Sequence, residues 1–141
     1  MASGQTSNYK LNQWAAEDKV LREEFNRDNA TLEAAVPKIV AGTYTGDGTE
    51  NRIIDLGFTP NILFVCNDSG TVYSSSATYA NYHGGLVFKN RPAQVKNVVY
   101  LSIVENGFQI AYAVNTPNGS NFTTYFNTNS ENSIYRYVAL R

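Results

Sequence analysis

Cysteine and histidine are nearly absent: the chain of 141 residues holds one of each, Cys66 and His83. A single cysteine excludes an intrachain disulfide and a cysteine-based zinc cage. A single histidine excludes a two-histidine metal site. Charge is also scarce, at 16% of residues with a formal net of −1, against roughly 25% in an average globular protein. That balance lacks the basic footprint of a nucleic-acid binder. A charge-driven disordered chain is excluded in turn, because 43% of the residues are hydrophobic. No run approaches the ~18 apolar residues of a membrane span, so no membrane insertion is expected. The N-terminus, Met-Ala-Ser-Gly-Gln-Thr-Ser-Asn-Tyr-Lys, lacks the apolar stretch of a signal peptide. What is plentiful is Asn (17), Tyr (10) and Gly (10), with Ser and Thr, the chemistry of polar loops and strands.

Composition changes at Pro37. Ten charged residues precede it and thirteen follow over a much longer stretch, while Tyr9, Trp14 and Phe25 are the only aromatics before it. The change predicts a flexible N-terminus (1–10), a helical oligomerisation or attachment segment (11–36) and a separate β domain (38–141). Residues 11–36 contain no Gly or Pro and are rich in Ala, Leu, Glu and Arg, which are good helix formers. Asn12 is the expected N-cap, and Pro37 ends the helix by disfavouring helical backbone at Val36. Leu11, Trp14, Leu21, Phe25, Leu32 and Ala35 follow alternating steps of three and four, with Asp18 and Asp28 as polar interruptions. This is a short coiled-coil pattern of three and a half heptads. A helix of that length would overhang a globule of about 100 residues, whose radius of gyration is about 13 Å. Leu11, Trp14, Leu21, Phe25 and Leu32 are therefore the expected oligomerisation residues, covered by partner helices. The competing reading is an amphipathic helix packed on its own domain.

After Pro37 the helical period disappears. Strands are expected at Lys38–Thr45, Arg52–Leu56, Asn61–Cys66, Leu86–Phe88, Asn97–Val104 and Ser133–Leu140, with Phe108, Ile110 and Tyr112 alternating on one face of another. Glu105-Asn106-Gly107 marks a hairpin, since Asn-Gly supplies the positive φ angles of a type I′ turn. Seven or so short strands predict a mainly β protein with a compact antiparallel β-sandwich or jelly-roll-like domain. Nothing alternates with helices, so a parallel sheet is not expected.

Catalytic signatures are thin. A Ser-His-Asp hydrolase would need His83 as its base, and no Gly-x-Ser-x-Gly elbow is present. Cys66 ends an apolar strand and reads as a small core residue. A glycosidase needs two carboxylates flanking one bond, and Asp47, Glu50, Asp55, Asp68, Glu105 and Glu131 are the only ones in the β domain. Asp47 and Glu105 fall in turns. Gly46-Asp47-Gly48 and Asn67-Asp68-Ser69 could donate oxygens to calcium, but neither approaches an EF-hand loop and both read as turns. The expectation is no enzyme, no metal and no cofactor.

Two segments stand out as surfaces. Val72–His83 and Asn115–Asn132 are both long for hairpin loops, and loops above ~12 residues are usually functional or disordered. Both mix Tyr or Phe with Ser, Asn and Thr, as antibody combining loops do. The same mixture suits sugars, whose C–H faces lie on aromatic rings while amides and hydroxyls bond their OH groups. Tyr73, Tyr79, Asn81, Tyr82, His83, Asn121 and Tyr125 are the candidate ligand-binding residues. The plain alternative is packing within strands or at a subunit interface.

The opening Asn8-Tyr9-Lys10-Leu11-Asn12-Gln13-Trp14, with Glu17-Asp18-Lys19-Val20, Glu24-Phe25-Asn26-Arg27-Asp28-Asn29 and Leu32-Glu33-Ala34-Ala35, resembles the N-terminal segment of phage and prophage tail proteins of Gram-positive bacteria. Gly42-Thr43-Tyr44-Thr45-Gly46-Asp47-Gly48, followed by Ile54-Asp55-Leu56-Gly57-Phe58-Thr59-Pro60, is similar to a phrase of their tail-fibre and receptor-binding proteins. So is the ending Tyr135-Arg136-Tyr137-Val138-Ala139-Leu140-Arg141. The middle of the chain, roughly 69–132, carries no such phrase. The resemblance implies a homotrimer located in the virion, with helices near the attachment end and β domains forming a tip. It implies bacterial surface polysaccharide or another cell-wall glycan and other tail or baseplate proteins as partners, and no shared catalytic set. A structural tail component without its own receptor site is the alternative. A polysaccharide-degrading enzyme is the third.

Overall fold

Strands take up 46% of the chain and helix 10% in the computed structural model, which describes all 141 residues, so the protein is mainly β. The chain divides into two units, Met1–Lys38 and Ile39–Arg141. No helix is long and apolar enough to cross a membrane.

The first unit pairs two short strands, β1 (Gly4–Gln5) and β2 (Asn12–Gln13), and adds one helix, α1 (Arg22–Ala35). The expected helix, taken from residue 11, thus begins eleven residues late, at Arg22. Leu11 and Trp14 are not on it, Gly4–Gln5 within the segment 1–10 pairs with Asn12–Gln13, and Asn12 is a strand residue rather than an N-cap. The reason is a competing set of hydrogen bonds to carboxylates. Asp28 accepts from the Asn12 backbone N–H at 2.9 Å and from its Nδ2 at 3.0 Å. Glu24 accepts from the Ala2 N–H at 3.1 Å and from Trp14 Nε1 at 3.2 Å. Asp18 accepts from Ser3 Oγ and N and from the Ala15 N–H, and these bonds hold its carboxyl below the ordinary value.

Helix α1 is inverted relative to the usual amphipathic rule. Its two buried residues are Glu24 and Asp28, while Phe25 is 54% exposed and Leu32 38% exposed. Leu21 is the N-cap, without a side-chain cap, and the helix ends where the Val36 N–H donates to Leu32 O, just before Pro37. Of the expected apolar seam, Phe25, Leu32 and Ala35 are on the helix and Leu21 is at its N-cap. Fourteen residues amount to two heptads, about 21 Å of helix. Replacing Asp28 by Ala should cost the first unit about 1.5–3 kcal/mol, the range for a hydrogen bond to a charged group. Amide exchange at Asn12 would then accelerate without change in the strands of the second unit; an unchanged rate would refute this role.

The second unit has two principal sheets. The four-stranded sheet runs β3 (Ile39–Thr45), β13 (Ile134–Leu140), β5 (Ile62–Asn67) and β8 (Gly85–Phe88), with all neighbours antiparallel. The seven-stranded sheet runs β6 (Tyr73–Ser75), β7 (Tyr79–Tyr82), β12 (Thr123–Asn127), β11 (Gly107–Asn115), β10 (Val98–Val104) and β9 (Ala93–Val95). Its seventh strand, β4 (Asn51–Asp55), pairs with the first half of β11, and β12 pairs with the second half. Inward residues of both sheets meet in one core that includes Leu63, Val65, Tyr135, Leu101, Phe108 and Phe126.

Three expectations need correction. The segments 72–83 and 115–132 are not long loops, since they contain β6, β7 and β12. The unit is not wholly antiparallel, because β7 and β12 pair in parallel with Tyr125 beside Asn81. The Asn106-Gly107 turn is not type I′ either. Only Asn106 has a positive φ, +61°. Gly107 is needed for space instead, because a Cβ there would lie 2.0 Å from the Ile54 carbonyl oxygen of β4.

The outer face of the four-stranded sheet is apolar over half its length. Ile39, Val138, Phe64, Leu86 and Phe88 lie on this face in two adjacent rows across the four strands, each at least one-third exposed.

Candidate functional site

The ladder between β10 and β11 stops at the Leu101–Ile110 pair. Continued by one step, it would set Tyr100 opposite Ala111. The side chain of Thr128, fully buried, enters there instead: its hydroxyl accepts from the Ala111 N–H at 2.8 Å and donates to Tyr100 O at 2.6 Å. At this point β10 shifts register by one residue against β9, between Val99 and Leu101, and the inward alternation of β11 changes between Ile110 and Ala111. Tyr100 and Leu101 are buried in succession, as are Ile110 and Ala111. Beyond this change the alternation of β11 is reversed, so Tyr112 is not on the inner face with Phe108 and Ile110 as its spacing predicts. It turns to the opposite face, beside its cross-strand partner Asn127.

That reversal assembles the outer face of β6, β7, β12 and β11. On β7, Tyr79 and Asn81 point outward while Ala80 packs inside. On β12, Tyr125 and Asn127 point outward while Phe126 packs inside. An open groove of about 630 Å³ lies on this face, lined by Tyr79, Tyr112, Tyr125, Asn81, Asn127 and Glu131 together with Gly48 and Ser130. A chain of side-chain hydrogen bonds crosses it. Ser130 Oγ donates to Asn127 Oδ1 at 3.1 Å, Asn127 Nδ2 donates to Asn81 Oδ1 at 3.0 Å, and Asn81 Nδ2 donates to Ser74 Oγ at 3.5 Å. His83 Nε2 closes the chain, 3.3 Å from Ser74 Oγ. Each amide nitrogen has two hydrogens and uses one here, so Asn81 and Asn127 each keep a donor for a ligand.

Of the candidate residues read from sequence, Tyr79, Asn81 and Tyr125 come together in this groove. Tyr73 and Tyr82 do not. They pack against each other at 5.0 Å, and Tyr82 continues inward to Tyr100 and Phe126. His83 lines a second recess of about 460 Å³ that shares Asn127 and Ser130 with the groove. Partial burial pushes its pKa below the ordinary histidine value. Asn121 is exposed in the 116–122 loop, away from the groove. Tyr112, Asn127, Ser130 and Glu131 are the lining residues that the sequence reading missed. The Ser74–His83 contact pairs a hydroxyl with a base, but no carboxylate is hydrogen-bonded to the imidazole to orient it. No group of three or more His, Cys, Asp and Glu side chains clusters at metal-binding distance.

The floor of the groove is held from below. Tyr44 of β3 donates its hydroxyl to Thr128 O at 2.7 Å, and the Tyr135 hydroxyl of β13 donates to Asn127 O and accepts from the Ser130 N–H at 3.2 Å. Asn129, also fully buried, donates through Nδ2 to Asp47 Oδ1 at 2.7 Å and to Thr49 O at 3.0 Å. The turn at 46–49 approaches so closely that a Cβ on Gly46 would lie 2.1 Å from Ser130 O. Hydrogen bonds from Thr49 Oγ1 and N, then from Asn129, lower the Asp47 carboxyl to about 2.

Comparisons with protein-family models, curated proteins and solved structures gave no match. The groove's own chemistry is therefore what bears on function.

Thr128→Val should leave the Ala111 N–H and Tyr100 carbonyl buried without partners and cost at least ~2 kcal/mol. Thr128→Ser, which keeps the hydroxyl, should lose much less. Denaturant melts that rank the two variants equally would contradict the role given to this hydroxyl. For Asp47 the folded pKa lies below the ordinary 3.8, so its contribution to stability is whole above that value and is lost as pH falls through about 2. Thr49→Val removes the largest cause and should move the Asp47 titration upward, read by carboxyl carbon chemical shift against pH. An unmoved titration would show that Thr49 is not what holds it.

Proposed function

We propose that the protein is a phage tail fibre or receptor-binding protein that binds bacterial cell-surface glycan as a homotrimer in the virion. The observation that carries this is the groove: three tyrosines surround a hydrogen-bonded pair of asparagine amides on one sheet face, with donors to spare. Aromatic faces take the C–H side of a sugar ring, and amides and hydroxyls take its OH groups. The resemblance of both ends of the chain to phage tail proteins supports the same reading. In this reading the two-sheet unit is a sandwich-like tip, and the N-terminal unit is the attachment and association segment.

Two surfaces support association with further copies of this chain. One is the exposed Phe25 and Leu32 on α1, the remnant of the coiled-coil seam. The other is the apolar outer face of the four-stranded sheet. Its two rows carry no charge, so like surfaces meet there without repulsion, and monomers rarely leave such a face to water. Three copies on one particle raise avidity without new contacts, so each groove needs only modest affinity. The same apolar face also favours the second reading, a structural tail component whose surfaces meet only its neighbours. A polysaccharide-degrading enzyme is the third reading.

Labelled full-length protein should bind Gram-positive cells saturably. Tyr79→Ala combined with Tyr125→Ala should weaken that binding at least tenfold, about 1.4 kcal/mol. Light scattering should give a mass near three times 15.6 kDa, reduced by Leu86→Lys. A trimer that binds no cells would favour the structural reading; a monomer would contradict the trimer.

A further inference from the structure

Two features of the groove narrow its ligand, given the receptor-binding reading above. The first is charge. None of the residues lining the groove is Lys or Arg, and Glu131, exposed at its rim, is its only charged side chain. The adjoining recess likewise has no cationic lining residue, and its one carboxylate, Asp68, is paired with Arg136 at 2.7 Å. An anionic sugar would meet no cationic lining residue in either place, the nearby Arg136 being already paired with Asp68, and in the groove it would face the Glu131 carboxylate. A neutral hydroxyl, by contrast, finds acceptors at Glu131 and donors at Asn81 and Asn127.

The second feature is continuity. Asn127 and Ser130 line both the groove and the recess, so the two depressions meet along one shared wall. Tyr79, Tyr112 and Tyr125 supply flat apolar surface on one side of that wall. His83, Asn67 and Ser69 supply hydrogen-bonding groups on the other. A single sugar ring placed on the tyrosines would leave the recess empty.

We infer that groove and recess form one extended site for an uncharged oligosaccharide chain, which lies on the tyrosines, crosses over Asn127 and Ser130, and continues to His83. Tyr79 and Tyr125 then set affinity for any length of chain, and His83 senses only chains long enough to cross the wall.

The test uses the full-length protein and titration with neutral hexose oligosaccharides from mono- to hexasaccharide, beside the same oligosaccharides carrying a phosphate or a uronate. The expected result is binding of the neutral series alone, with affinity rising about tenfold or more with length. His83→Ala should weaken long chains far more than short ones, so that affinity no longer rises with length. Tyr125→Ala should weaken every length, with Tyr79→Ala as the second variant if Tyr125→Ala alters the circular dichroism of the fold. Preference for the charged series would overturn the charge argument while leaving glycan binding in place. Affinity independent of length, or His83→Ala without effect at every length, would overturn the extended site. Retained cell binding with no affinity for any oligosaccharide would overturn both this inference and the glycan reading on which it rests.

Discussion

Thr128 and Asn129 are two consecutive polar residues with no exposed surface, and the second unit is organised around them. The Thr128 hydroxyl fills a break in the seven-stranded sheet, while its carbonyl accepts from Tyr44 of the four-stranded sheet. Asn129 fixes the turn at 46–49. Buried polar groups are costly unless paired, and here no buried side-chain nitrogen or oxygen lacks a partner. A satisfied network of this kind specifies one arrangement of the chain more sharply than apolar contact alone, because every misplaced alternative leaves a donor or acceptor unmet. The groove inherits that rigidity. Asn127 and Ser130 flank the pinned pair, and Tyr112 faces outward only because the alternation of β11 reverses where Thr128 enters.

The first unit uses the same device on a smaller scale. Carboxylates on α1 are turned inward to hold the backbone at Ala2 and Asn12, and the apolar side chains Phe25 and Leu32 are left outside. An isolated helix of 14 residues is marginal in water. Its hydrogen bonds to β2 and to the N-terminal residues compensate in part. The result is an exposed apolar stripe of Phe25 and Leu32, the one that the proposed association would use.

The strands that sequence reveals are runs rich in apolar and β-branched residues, such as β5 and β13, where Leu63, Val65, Tyr135 and Ala139 are buried while Phe64 and Val138 face outward. β7 and β12 stay hidden because Tyr, Asn and Thr on the outer face differ little from Tyr82 and Thr124 on the inner one. Their composition reads as loop when it is sheet. The same ambiguity explains why Tyr79, Asn81 and Tyr125 are legible as candidates that line one groove while their neighbours are not: they stand inside conspicuous segments. Asn127 lay inside one of those segments as well, but the register that sets it beside Asn81 depends on a parallel pairing between distant strands. The alternation that sets Tyr112 on one face with Phe108 and Ile110 holds up to Ile110 and fails at Ala111, and no local signal marks the change. The helix start is not legible because Leu11 and Trp14 continue an apolar spacing, whereas Leu11 is bonded to Thr6, Asn12 to Asp28 and Trp14 to Glu24.

The central claim is that the outward tyrosine–asparagine face is where the protein meets its ligand. The most direct measurement follows the side-chain amide resonances of Asn81 and Asn127 by NMR while neutral cell-wall polysaccharide is added to the full chain. The account predicts saturable shifts at these two amides and at the Tyr79 and Tyr125 rings, with Leu86 and Phe88 on the opposite sheet unmoved. Shifts confined to the apolar sheet face, with both amides silent, would contradict it.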